Sequence, residues 1–316
     1  MAAAQAHDLV IIGGGPAGLT ASIYATRALL DSVTVEQGAF GGQAAITDVI
    51  DNYPGSPNIN GAELGMSMQG QAEALGSEFV YDDVSGVSFD QGDGTFLVTC
   101  EEEGEIACKA VILATGGSPR RAGFEGEERF SGHGVSYCAT CDGMFYMGKE
   151  VFVIGGGNTA CEEALFLTRF ASSVTLIVRK DHVRAVASVA EKIEAEPKIS
   201  IRYNTRIVSI DGDELPSSIV FEDTSTGQVL SESYSEGSFG IFVFVGRVPG
   251  SGLVGSLVEL ADDGTVITDE RMATKTPGLF CAGDVRDKPL RQVITAASDG
   301  AIAATSAAQY LGRPAV

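Results

Sequence analysis

One unit is written twice in this chain, and that repetition constrains the fold more than any other feature. Residues 8–37 read DLVIIGGGPAGLTASIYATRALLDSVTVEQ, and residues 150–180 read EVFVIGGGNTACEEALFLTRFASSVTLIVRK. Laid over each other without gaps, Gly13 falls on Gly155, Gly15 on Gly157, Gly18 on Ala160 and Arg27 on Arg169. Each copy is a short apolar run, a glycine-rich turn, a helix-period stretch and a second β-branched run. That order, β-turn-α-β, opens a dinucleotide-binding unit. With 316 residues the chain has room for two such domains and a sizeable core.

Each copy is followed by weaker alternating segments with turn signals, 79–117 and 201–246. Both read as a small antiparallel meander returning to a final buried strand. The end of the chain, LFCAGDVRDKPLRQVITAASDGAIAATSAAQYLG, reads as one strand, a loop and a long small-residue helix, too little for a third domain. The expected layout is one discontinuous domain, 1–117 and 246–316, with a second, 118–245, inserted as a block.

The glycines of the first copy have separate tasks. Gly13 permits the tight turn, Gly15 lets a pyrophosphate approach the backbone, and Gly18 lets helix pack on strand. Pro16 and Ala17 begin the helix, whose N-terminus presents unpaired N–H groups to phosphate. Glu36 ends the next strand, where a carboxylate accepts from ribose hydroxyls. The second copy keeps Gly155, Gly157 and Ala160, with Asn158 and Thr159 between them, but holds Val178 where the first holds Glu36. Arg179, Lys180 and Arg184 follow. Guanidinium groups bind a 2′-phosphate through charge-assisted bonds that a carboxylate there would oppose, so this site reads as NADP(H). The cluster stands out because the net charge is −21, which argues against nonspecific nucleic-acid binding and reads as solubility or salt adaptation.

Between the two copies lies SYCATCDG, with Cys138, Cys141 and Asp142. Cys-x-x-Cys serves as half a zinc site, a staple or a working dithiol. Zinc needs two more ligands; Cys100, Cys108, Cys161 and Cys281 form no second short-spaced pair, and His7, His133 and His182 lack ligand spacing, so no metal is expected. Those four cysteines read as small core residues, His133 and His182 as surface residues, and Met144 and Met147 as local packing. No membrane-length apolar run and no signal peptide is visible, which points to the cytoplasm, where a persistent disulfide is usually catalytic. A dithiol beside two dinucleotide sites is an electron-transfer layout, and a flavin couples nicotinamide to sulfur, which suggests FAD in the first site.

Taken in order, SYCATCDG, VFVIGGGNTACEEALFLT, VRKDHVRA and CAGDVRDKPLRQVITAASDGAIAA resemble the low-molecular-weight, bacterial-type thioredoxin reductases over essentially the whole chain. The resemblance implies an α/β fold of two Rossmann-like domains of the three-layer ββα type, an NADPH domain inserted into a discontinuous FAD domain, and a homodimer. It implies a relay from NADPH through FAD to a Cys138–Cys141 disulfide and on to thioredoxin or a thioredoxin-like protein. Cys141 would face the flavin, Cys138 would attack the partner, and Asp142 would be the general acid. It places Glu36, Gly42, Gln43, Asn52, Thr115, Gly116, Gly283 and Asp284 on FAD, with Arg291, Gln292 and Val293 at the isoalloxazine. For NADPH it implies Gly157, Asn158, Thr159, Ala160, Arg179, Lys180 and Arg184.

Three departures stand out. Val178-Arg179-Lys180 replaces the family's His-Arg-Arg, which softens the NADPH preference, since Lys lacks the bidentate fork. Asn158-Thr159 replaces Asp-Ser, keeping capping capacity at the helix start. Gly250 and Ser251 fall where the family has Pro-Asn-Thr. Rival readings are a flavin-dependent dithiol oxidase, which needs no basic clamp, a relative driven by NADH or ferredoxin, and a redox-sensing flavoprotein, which gives no reason for Asp142.

Overall fold

The structure, a computed structural model, describes residues 5–47 and 49–313. The chain divides into two compact units, Met1–Ser118 with Val248–Val316, and Pro119–Arg247.

The first unit opens with β1 (Gln5–Ile12), α1 (Pro16–Arg27) and β2 (Ser32–Glu36), followed by α2 (Gly61–Ala74) and β3 (Glu78–Tyr81). β4 (Val84–Asp90), β5 (Thr95–Cys100) and β6 (Glu105–Leu113) complete its first half. β3, β2, β1 and β6 pair in parallel in that order, and β6, β5 and β4 pair antiparallel beyond them. Leu9 to Ile12 are buried on both faces, which is why β1 is a continuous apolar run rather than an alternating one. Phe79, expected to start the meander, instead lies in β3, parallel to β2. The α2 crossover accounts for the difference, since parallel neighbours need a long connection and antiparallel ones do not.

The second unit repeats this plan. β7 (Gly117–Pro119) leads to β8 (Val135–Ser136), α3 (Ala139–Asp142), β9 (Glu150–Ile154), α4 (Asn158–Leu167) and β10 (Ser173–Ile177). α5 (Ala187–Ala195) and β11 (Ile199–Arg202) follow, then the antiparallel β12 (Thr205–Gly212), β13 (Pro216–Asp223) and β14 (Val229–Ser233), and β15 (Phe239–Val243). The parallel sheet runs β11-β10-β9-β15-β8. Register shows how closely the two units agree: Ile12 pairs with Val35, and its counterpart Ile154 with Ile177. As with β3, residues 201 and 202 belong to a parallel strand, and the meander proper begins at β12.

The chain re-enters the first unit through β16 (Arg247–Pro249), which pairs with β7, and ends in β17 (Leu279–Cys281) and α6 (Val293–Tyr310). α6 is small-residued because it packs closely on α1: a Cβ on Gly300 would come within 2.1 Å of the Ala17 carbonyl oxygen. Ala303, Ala304, Ala307 and Ala308 continue that buried face.

Asp299 interrupts the alanines of α6 for a different reason. Its carboxylate accepts from Lys288 Nζ at 2.7 Å and from the Gly283 N–H at 3.1 Å, and it ion-pairs with Arg286 at 3.4 Å. Lys288 and Asp299 are both nearly inaccessible. Removing one partner of a buried pair strands the other charge, at a cost of about 3 kcal/mol or more. We therefore expect Asp299→Asn to lower the thermal midpoint by roughly 6–12 °C for a chain of this size. A calorimetric shift within about 2 °C would show that the pair is dispensable.

Candidate active site

The two glycine-rich turns share one local geometry. Gly13 N–H donates to Val35 O at 2.8 Å, and Gly155 N–H to Ile177 O at 3.1 Å. Both glycines have positive φ, +109° and +147°, and a Cβ on each would lie 2.5 Å from a neighbouring strand's carbonyl oxygen, that of Ala114 or Phe244. At Gly18 a Cβ would sit 1.8 Å from Gly13 O, whereas the second turn accommodates the methyl of Ala160, fully buried. The middle glycines are open: the nearest atom to a Cβ on Gly15 is Gly42 Cα at 3.8 Å, and nothing lies within 4 Å for Gly157. Each is the N-cap of its helix with no side chain capping it, so the first N–H groups face that open space. These are the features a pyrophosphate requires.

Around the first turn the expected FAD residues converge in part. Glu36 accepts from the N–H groups of Gly14 at 2.5 Å and Gly38 at 2.9 Å. Gly42 follows Gly41, whose N–H donates to Gly14 O, and Gln43 lies exposed in the short helix that Gly42 begins. Gly283, with φ +80°, approaches Ala17 so closely that a Cβ would be 2.9 Å from the Ala17 methyl. Gly283 and Asp284 form a short turn after β17. Asn52 donates to Gln292 Oε1 at 3.0 Å, which joins a distant loop to the cap of α6, where Val293 is the first residue. Arg291 Nε is buried without a hydrogen-bond partner among the described residues, a donor suited to a ligand's acceptor.

Thr115 and Gly116 explain one departure. The Thr115 hydroxyl donates to Gly250 O at 2.7 Å, and a Cβ on Gly250 would lie 2.7 Å from that same hydroxyl. Gly250 N–H donates to Gly116 O at 2.9 Å, and the adjoining Ser251 is buried, donating to Gly264 O at 2.7 Å. Gly250 is thus demanded by close packing on Thr115.

At the second turn, Val178 is buried beneath Gly156, while Arg179, Lys180 and Arg184 are exposed. Among the described residues no carboxylate lies within ion-pair distance of these three cations; the intervening Asp181 is bonded to His182 at 2.6 Å and only senses the Lys180 charge. The expected capping by Asn158 is corrected here. Its Oδ1 instead accepts from Val186 N–H at 2.8 Å, and Arg184 N–H donates to Gly156 O at 2.5 Å. Two bonds therefore tie the loop bearing Arg184 to the glycine turn, which the sequence distance between them conceals. Thr159 is exposed in the first turn of α4.

Cys138 and Cys141 are joined as a disulfide, with Cα atoms 5.3 Å apart. Cys138 is the N-cap of α3, and its sulfur accepts from Cys141 N–H at 3.2 Å and lies 3.4 Å from the Thr140 hydroxyl. Asp142 Oδ2 and the hydroxyl of Ser136 share a hydrogen bond of 2.6 Å. Burial pushes the Cys100 thiol up to about 11 and those of Cys108 and Cys281 to about 12, and it raises Cys161 as well. These four are free and buried, hence poor nucleophiles. No group of three or more metal-ligating side chains occurs among the described residues. Met144 and Met147, expected to pack locally, are instead exposed, together with Phe145. The short helix after α3 leaves them no core to enter, because Gly143 holds the buried position against Leu167 and Phe170.

Two residues at the sites escaped the sequence reading. Neither Ser136 nor Asp299 is among the site residues expected from the sequence. The usable signal was chemical: a lone acid in an otherwise small, apolar helix seeks a cation, and Arg286 and Lys288 stand nearby in sequence.

Residues 7–300 match the pyridine nucleotide-disulphide oxidoreductase family. The thioredoxin reductase of Peptoclostridium acidaminophilum is 46% identical over 308 residues, covering 96% of this chain and 97% of the relative. That of Treponema pallidum is 42% identical, over 96% and 97% of the two chains. The crystal structure of thioredoxin reductase from Streptococcus pyogenes superposes with a TM-score of 0.90 at 40% identity, covering 97% of this chain and 98% of the other.

Proposed function

The chain belongs to the pyridine nucleotide-disulphide oxidoreductase family, among its thioredoxin reductases, and we propose that it takes electrons from NADPH and passes them through Cys138 and Cys141 to a thioredoxin-like protein. The family implies FAD and a pyridine nucleotide. We assign FAD to the first unit, around Gly13, Gly15, Gly18 and Glu36, and NADPH to the second, around Gly155 and Gly157. The open approach to Gly15 and the Glu36 carboxylate support the first assignment. The observation that carries the second is the exposed basic cluster, Arg179, Lys180 and Arg184, tied to a glycine-rich turn in the unit that holds the disulfide.

When bound, FAD supplies two-electron transfer between the nicotinamide and the disulfide. The remaining tasks fall to the protein's own groups. Cys138 accepts the Cys141 N–H, a bond that favours the thiolate on that sulfur and supports its role as the sulfur that attacks the partner. Cys141 is then the sulfur that faces the flavin. Asp142, held by Ser136 within the same loop, gives a proton to the leaving sulfur and takes one back. We further propose, from the family resemblance alone, that the enzyme works as a homodimer.

Anaerobic titration tests this reading. Two equivalents of NADPH, one for the Cys138–Cys141 disulfide and one for the flavin, should bleach the flavin absorbance, and oxidised thioredoxin should restore it. NADH should do the same only at concentrations at least tenfold higher. Bleaching by NADH at equal or lower concentration would overturn NADPH as the donor, and failure of thioredoxin to restore the colour would overturn the partner.

A further inference from the structure

We propose that Ser136 is a positioning residue whose hydroxyl changes hydrogen-bond partner as Asp142 loses and regains its proton, keeping both forms paired. This inference rests on the reading of Asp142 as the proton carrier.

Ser136 is 3% exposed and closes β8, where its backbone is registered against Phe242. Three polar groups reach its hydroxyl oxygen. Asp142 Oδ2 lies at 2.6 Å, the Cys138 N–H nitrogen at 3.1 Å and the Cys138 carbonyl oxygen at 3.3 Å. A serine hydroxyl has one donor and two acceptor sites, and this surrounding uses that capacity in two ways. With Asp142 ionised, the hydroxyl donates to Oδ2 and accepts from the Cys138 N–H. With Asp142 protonated, the carboxylic O–H donates to the serine oxygen, which still accepts the Cys138 N–H. The hydroxyl hydrogen then turns to the Cys138 carbonyl. That carbonyl already accepts the Asp142 N–H at 3.1 Å and has a second lone pair for the bond.

The geometry matters because a carboxyl that cycles between charged and neutral forms in a partly buried loop needs a donor at Oδ2 in one form and an acceptor there in the other. Leaving either need unmet costs about 1–3 kcal/mol. Tyr146, whose hydroxyl burial pushes up to about 12, is also close enough to sense the Asp142 charge. It therefore stays neutral near pH 7 and adds no second negative charge beside Asp142.

The proton follows the sulfur chemistry. When the Cys138–Cys141 bond takes up two electrons it breaks into two sulfurs; one remains a thiolate, and the other accepts the Asp142 proton. The carboxylate left behind takes the Ser136 O–H. When the remaining thiolate attacks the partner's disulfide, a mixed disulfide forms and one partner thiolate leaves. The second sulfur returns its proton to Asp142, attacks the mixed disulfide and re-forms the Cys138–Cys141 bond, releasing the other partner thiolate. Both partner thiolates take protons from water, and the Ser136 hydroxyl turns back to the carbonyl.

The test uses the full-length holoenzyme, reduced beforehand and mixed with oxidised thioredoxin in a stopped-flow instrument, with flavin bleaching by NADPH as the control. Asp142→Asn should slow disulfide exchange about a hundredfold, within the range of general acid–base catalysis. Ser136→Ala should slow it about tenfold with bleaching unchanged. In the Asp142→Asn background the same Ser136→Ala change should cost less than twofold, because its effect passes through the carboxyl. Ser136→Thr retains the hydroxyl on a strand-compatible residue and should come within threefold of the parent rate. If Asp142→Asn exchanges at the parent rate, the proton-carrier reading fails, and the inference with it. If Asp142→Asn is slow but Ser136→Ala is not, or if the two losses multiply in the double variant, the inference alone fails. A tenfold loss in Ser136→Thr with normal bleaching also overturns it.

Discussion

Cys138→Ser should reduce NADPH-dependent thioredoxin turnover by at least about a thousandfold while leaving flavin bleaching by NADPH intact. The size of the effect follows from the absence of a substitute. Thiol–disulfide exchange requires a thiolate to attack the partner, and serine's hydroxyl is too weakly acidic to stand in. The four other cysteines are buried, and burial raises every one of their thiols, three of them to about 11 or 12, so none is poised to attack a protein disulfide. Bleaching tests a separate step, hydride delivery from the nicotinamide, which needs no sulfur. A Cys138→Ser variant that still reduces thioredoxin at a tenth of the parent rate would transfer the attacking role to Cys141. One that cannot be bleached would show that the disulfide loop shapes the nicotinamide site.

The repeat was legible because its determinants are local. Gly18 is required by Gly13 O five residues away, and Gly13 and Gly155 by their positive φ in the turn itself. The spacing of glycines therefore states the geometry directly, even though the carbonyls of Ala114 and Phe244 that crowd them are far away in sequence. The basic cluster was legible for the same reason: Arg179 and Lys180 come just after β10, one residue beyond its end, and the exchange of Glu36 for Val178 is visible by alignment of the two copies. What stayed hidden depends on residues brought together by tertiary structure. Asn158 was expected to cap its own helix, yet its acceptor is taken by Val186, 28 residues on. Gly250 looked like an unexplained departure until Thr115, 135 residues earlier, was found against its backbone. Ser136 is near Cys138 in sequence, but its bond to Asp142 exists only because α3 folds the chain back within six residues. Asp299 needed Gly283 and Lys288 in place before its charge made sense. The first strand of each meander was misread because alternation looks alike in parallel and antiparallel edge strands, and the crossover helices α2 and α5 decide between them.

Replacing Arg179 and Arg184 together by glutamine should raise the Michaelis constant for NADPH roughly a hundredfold and change that for NADH less than threefold. Hydrogen bonds to charged groups contribute about 1.5–3 kcal/mol each, so two guanidinium contacts to a 2′-phosphate account for about 3 kcal/mol or more. At about 1.4 kcal/mol per decade, that is two decades in affinity. NADH carries no phosphate there and loses nothing. A purely binding effect leaves the turnover number unchanged at saturation, which separates this loss from damage to the chemistry. The surrounding charge sharpens the test. With a net charge of −21, the field at long range repels NADPH, and the exposed cluster must overcome it locally. Salt screens both fields, but the local attraction is lost in the variant while the global repulsion remains. Raising ionic strength should therefore increase the Michaelis constant of the parent enzyme for NADPH and lower that of the double variant. Equal losses for NADPH and NADH would mean that Arg179 and Arg184 hold the loop rather than the phosphate. The Arg184 N–H to Gly156 bond argues against that outcome, because a backbone donor survives either substitution.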